Sequence, residues 1–98
     1  MEDANIADLA AAAGSIWALP EPITVAAVVA KADEVIADLT PAQRYLIEGG
    51  RGVVSERNGV ALAYKRLLAG GKLTPAGEMV RRVMLRPGDF ARYRTPVA

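Results

Sequence analysis

The sequence predicts an all-α fold: a compact bundle of four or five short helices with an irregular C-terminal tail. Three observations predict it. Apolar residues recur at i, i+3, i+4 and i+7 in successive segments, and no segment alternates with a period of two. Proline and glycine pairs separate those segments. Hydrophobic residues make up 52% of the 98 residues and charged residues 23%, a composition that folds and does not stay disordered. The length is that of one domain. It is read as a helical domain over 1–88 and a tail over 89–98.

The first stripe is Ile6, Leu9, Ala10, Ala13, Ile16 and Trp17, which places a helix from about Asp3 to Leu19. Pro20 and Pro22 end it. Gly14 inside it costs up to about 1 kcal/mol relative to Ala. From Pro22 to Leu39, the residues Val25, Val28, Val29, Ala32, Val35, Ile36 and Leu39 fall on one arc, and Lys31, Glu34 and Asp38 face the other way. Many of these are β-branched and would suit a strand, but the periodicity and the length favour a helix. Thr40-Pro41 starts a third helix, because Thr caps and Pro suits the first helical position. That helix carries Ala42, Tyr45 and Leu46 and ends at Gly49-Gly50.

After a loop or short extended piece at 51–54, a fourth helix is predicted. It has Val60, Tyr64, Leu67 and Leu68 on one side and stops at Gly70-Gly71. Leu73-Thr74-Pro75-Ala76 repeats Leu39-Thr40-Pro41-Ala42 at a spacing of 34 and opens a fifth helix. The repeat stops after four residues, so it marks two similar helix starts and no solenoid. Met79, Val80, Val83 and Met84 form the apolar side, and Pro87-Gly88 ends the helix. The tail from Asp89 is expected to be irregular and mobile, with Phe90 and Tyr93 able to dock back or reach a partner.

Composition removes most chemistry. There is no Cys and no His. Disulfides, thiolate ligands, cysteine nucleophiles, the usual general base near neutral pH and the commonest metal ligand are all missing. Neither Ser15 nor Ser55 has a histidine partner. Glu34 and Asp38 share a helix face that could in principle hold a hard cation, but no further ligand set is visible and a solvated acidic face is the simpler reading. Gly49-Gly50-Arg51-Gly52 and Gly70-Gly71-Lys72-Leu73-Thr74 both lack P-loop spacing and read better as helix ends and turns. No enzyme, cofactor or metal site is predicted. No apolar run is long enough to span a membrane, and the acidic start (Glu2, Asp3) is unlike a signal peptide. A cytoplasmic location is the simplest expectation.

Charge is the informative feature. Residues 1–50 carry eight acids and two bases, a net of −6, whereas residues 51–98 carry ten bases and three acids, a net of +7. This asymmetry has three readings: a nucleic-acid or acidic protein partner for the basic half, two halves that neutralise each other, or head-to-tail contact between copies. On the predicted fourth helix, Asn58, Leu62, Lys65 and Arg66 recur opposite the apolar side, with Arg57 at the flank. Arg and Lys reach guanine or phosphate and Asn pairs with adenine, so such a face suits a major groove. A solvated helix face is the alternative. With Arg81 and Arg82 these residues form the predicted DNA- or partner-binding set.

Leu39-Thr40-Pro41-Ala42-Gln43-Arg44, the segment ending Tyr64-Lys65-Arg66-Leu67-Leu68-Ala69-Gly70-Gly71, and Leu73-Thr74-Pro75-Ala76-Gly77-Glu78 together resemble the frame of small winged-helix and helix-turn-helix transcription regulators. The resemblance covers roughly residues 39–84. It implies a helix-turn-helix-like arrangement and DNA binding through residues 56–69. The expected function is therefore a small DNA-binding regulator. The alternative is a protein-interaction module, such as a regulator or inhibitor that binds through a charged surface.

Overall fold

The computed structural model describes residues 2–49, 65–70 and 72–94. Within them run α1 (Glu2–Ile16), α2 (Val25–Ala37), α3 (Pro41–Gly49), β1 (Leu68–Ala69), β2 (Lys72–Leu73), α4 (Pro75–Leu85) and a 3-10 helix (Pro87–Tyr93). The fold is all-α apart from the two-stranded hairpin. At its centre is α4: α1, α2, α3 and the 3-10 helix all pack on it, and α1 and α2 also pack on each other.

The core is built from small and branched residues. Ala10 and Ala13 of α1 meet Val28, Val29 and Ala32 of α2, and Met79, Val80 and Val83 of α4 close over them. Gly14 has a packing reason that offsets its propensity cost. A β-carbon there would overlap the Ile23 side chain and press on Val28, so glycine lets the two helices approach. The helix ends at Ile16, earlier than the prolines require. Leu19 N–H donates to the Gly14 carbonyl at 2.9 Å and Ala18 N–H to that of Ser15 at 3.1 Å, with Ala18 left-handed at φ 56°. That is the hydrogen-bond pattern of a Schellman cap. In α2, Thr24 accepts from Ala27 N–H as the N-cap.

Both Thr-Pro starts form helices. The first has a reciprocal cap. Gln43 N–H donates to Thr40 Oγ1 at 3.2 Å, and Thr40 N–H donates to Gln43 Oε1 at 3.0 Å. The register of α3 differs from the expected one: Gln43 and Ile47 are buried, while Tyr45 is 75% exposed.

Two sequence expectations need correction. Leu67 and Leu68 are not helical. Lys65 and Arg66 form a turn with Arg66 at φ 64°, and Leu68–Ala69 pairs antiparallel with Lys72–Leu73. The cause is tertiary. Thr74 N–H donates to the Leu67 carbonyl at 3.0 Å and Thr74 Oγ1 donates to the Arg66 carbonyl at 2.6 Å, which takes those carbonyls out of any helical ladder. The sequence shows no clear strand, and the hairpin adds one two-residue pair to a fold that is otherwise all-α among the described residues. The part of the expected irregular tail that the structure describes is not irregular: Pro87–Tyr93 forms a 3-10 helix, and Phe90 is among the largest fully buried side chains. Full burial of such a ring stabilises by about 1.5–3 kcal/mol and is one of the contacts that hold the segment against α4, beside the Asp33–Arg94 contact. Val60 and Tyr64, expected in the core, lie outside the described residues.

Candidate functional site

The seven predicted site residues fall into three groups. Arg57, Asn58 and Leu62 lie outside the described residues. Lys65 and Arg66 sit where the turn before β1 meets the ends of α1 and α2. Arg81 and Arg82 lie on α4, on a different groove.

Lys65 and Arg66 face the rest of the fold. Arg66 Nη1 donates to the Ile16 carbonyl at 2.7 Å, so a cation caps the C-terminus of α1, where the helix dipole favours positive charge. Lys65 Nζ pairs with Asp38 Oδ2 at 2.9 Å, and its carbonyl accepts from Trp17 Nε1 at 3.4 Å. Around them is an open cleft of about 590 Å³ between Trp17, Lys31, Glu34, Asp38, Lys65 and Arg66. Glu34 pairs with Lys31 at 3.3 Å. Both carboxylates of the acidic helix face therefore have a cation beside them, and no group of three or more His, Cys, Asp or Glu that could hold a metal exists among the described residues.

A second tie between the halves was not visible in the sequence. Arg94 makes a two-pronged contact with Asp33 of α2, at 2.8 Å through both Nε and Nη2. The hydrogen bond and the Asp33 charge raise the Arg94 guanidinium above its ordinary pKa, against a smaller opposing effect of burial. A raised value means that this stabilisation persists throughout neutral and acidic pH as far as Arg94 is concerned. It is lost only as pH rises through the raised guanidinium value. Both side chains are more than a third exposed, so solvent screens the pair. Asp33–Arg94 and Asp38–Lys65 each join an acid of the first half to a base of the second.

On α4, Glu78 is shared by Arg81 at 3.7 Å and Arg82 at 3.5 Å. Arg81 Nε also donates to the Glu48 carbonyl at 3.3 Å, near the end of α3. Arg86 and Asp89 approach to 3.9 Å. These arginines rim a groove of about 320 Å³ whose floor includes Ile6 and Phe90. The exposed base of the hairpin is Lys72, opposite Ala69. No helix among the described residues is long and apolar enough to cross a membrane. Comparison with protein families, curated proteins and solved structures finds no match to this chain.

Proposed function

We propose that this chain is a small DNA-binding regulatory protein that uses its basic C-terminal half, with Lys72 of the β1–β2 hairpin among the contributing cations. One observation carries the reading. Along the chain, the hairpin lies between the basic segment around Arg57 and Asn58 and the Thr74-capped α4, which gives the order helix, basic segment, hairpin, helix. Winged-helix regulators, which the sequence resembles over residues 39–84, use that order, with a recognition segment in the groove and a hairpin beside it. Lys72, exposed on β2, supplies a cation that suits phosphate.

The test is fluorescence anisotropy with a labelled duplex of about 20 base pairs at two salt concentrations. Affinity should fall steeply with salt. Replacing Arg57 and Lys72 with Ala should shallow the salt slope by about one unit for each phosphate that is no longer neutralised. A wild-type protein with no salt-sensitive binding refutes the reading.

A second reading, a protein-interaction module, is favoured by a different observation: Lys65 and Arg66 are engaged with Asp38 and the Ile16 carbonyl. Under that reading, the charge asymmetry serves the fold, and recognition falls to other surfaces.

A further inference from the structure

The 3-10 helix and the Arg94 that follows it are tied more closely to themselves than to the rest of the molecule. Arg94 Nη1 donates to the Pro87 carbonyl at 3.3 Å and so links the last residue of the segment to its first. The Phe90 and Tyr93 rings lie 6.3 Å apart between centroids, and the Arg92 guanidinium sits 4.9 Å from the centre of the Tyr93 ring. Arg94 N–H donates to the Ala91 carbonyl at 3.1 Å, and Asp89 N–H donates to the Arg86 carbonyl at 3.0 Å.

Outward attachment is sparser. The segment packs on α4 and α2. Among the described residues, however, no backbone hydrogen bond runs from 87–94 to another helix or to the hairpin. Phe90 is buried and Arg94 forks onto Asp33 of α2, with Tyr93 half-buried at the core edge. Pro87, Gly88, Asp89, Ala91 and Arg92 are exposed. The joint to α4 has room to turn. Arg86 has left helical geometry at φ −135° and ψ 61°, and a β-carbon at Gly88 would meet only open space.

We infer that residues 87–94 form a strap that opens and closes as one unit while α1, α2 and α4 stay folded, with Phe90 as its plug and Arg94 as its buckle. Local stability follows buried apolar contact and backbone bonding to neighbours. The strap has one fully sunk ring and a solvent-screened ion pair, whereas α1, α2 and α4 share the continuous core. A short 3-10 turn has poor hydrogen-bond geometry and does not persist alone, so losing either anchor removes support from its whole length. Arg94 couples the two ends directly, because the same guanidinium holds Asp33 and the Pro87 carbonyl. Opening uncovers the Phe90 ring and the core surface beneath it, and parts Asp33 from Arg94. The inference is independent of DNA binding.

The experiment is native-state amide hydrogen exchange on the full chain, read by NMR at urea concentrations below the unfolding transition. The Asp89 and Arg94 amides, near opposite ends of the strap, should share one opening equilibrium, with protection factors within about twofold of each other and a weak urea dependence. The Val83 amide of α4 should be at least about a hundredfold better protected and steeply urea-dependent, because its opening exposes the core. Arg94→Ala should lower protection at positions 89 and 94 together by about two- to fivefold. Phe90→Leu, which keeps an apolar plug, should lower both by about three- to tenfold. Protection that falls steadily from position 89 to position 94 would mean fraying from the end and would overturn the inference. Strap amides that match Val83 in protection and urea dependence would also overturn it, since the segment would then unfold only with the helices. An Arg94→Ala effect confined to position 94, or no protection at either end in the wild type, would overturn it as well.

Discussion

Leu39-Thr40-Pro41-Ala42 and Leu73-Thr74-Pro75-Ala76 begin alike and end up doing different work. In both, threonine caps the helix that proline starts. At the first, the fifth residue is Gln43, whose side chain reaches back to the Thr40 N–H and completes a cap within four residues. At the second, the fifth residue is Gly77. It leaves space for the Leu67 backbone: a β-carbon there would overlap the Leu67 carbonyl oxygen. Thr74 then accepts from Gly77 N–H and donates to the Arg66 carbonyl, binding α4 to the chain before the hairpin. One tetrapeptide specifies a helix start. The next residue decides whether the start is self-contained or is a joint between distant segments.

The largest test of this contrast is Gly77→Ala. At an open helical site the change gains up to about 1 kcal/mol. Here it should cost about 2–4 kcal/mol, read by urea unfolding, because backbone must move. A neutral or stabilising result would mean that the close approach is dispensable. Thr74→Ala comes next, at about 2 kcal/mol, since it removes a cap and also leaves the Arg66 carbonyl without its donor. Gln43→Ala should cost about 1 kcal/mol, the ordinary value of a cap, with unchanged m-value. If it cost more than Thr74→Ala, the local and tertiary roles would be reversed. The smallest effect is expected for Asp38→Asn, which breaks the exposed pair with Lys65. Thermal melts should show a destabilisation under about 0.5 kcal/mol, because backbone hydrogen bonds and not this ion pair hold the joint.

The helices α1, α2 and α4 were legible because each spans three or more turns and carries its own stripe, whereas α3 was legible by its start and not by its buried face, which is Gln43 and Ile47. The buried Val28, Val29 and Ala32 lie on the arc that spacing alone assigns, and the Thr-Pro starts announce α3 and α4. The hairpin was not legible as a period, since two residues per strand have none. A signal did exist: Gly70-Gly71 between two short runs is a two-residue loop favoured in hairpins. Phe90 is a lone aromatic after a proline-glycine stop, and a seven-residue 3-10 segment gives no stripe to show that it docks. At the candidate site, the residue types of Lys65 and Arg66 were readable but their direction was not. A helix through residue 69 would turn them outward, whereas the left-handed Arg66 turns them onto α1 and α2. The Asp33–Arg94 contact joins residues 61 apart, and no local pattern encodes it.

Because α4 is the hub on which α1, α2 and α3 all pack, the chain is synthesised in the wrong order for its own core. The Ala10 and Ala13 face of α1 leaves the ribosome roughly seventy residues before Met79 and Val80, which is about 3.5–14 s at ordinary translation rates. During that interval α1 and α2 have only each other. Their contact surface is made largely of alanine and valine, which limits how strongly a waiting nascent chain attracts its neighbours. A product that stops before Pro75 lacks the hub altogether and leaves Val28, Val29 and Ala32 without their α4 cover. Such fragments are ready substrates for chaperones and proteases, so this protein should accumulate in cells only as chains that have been translated through α4.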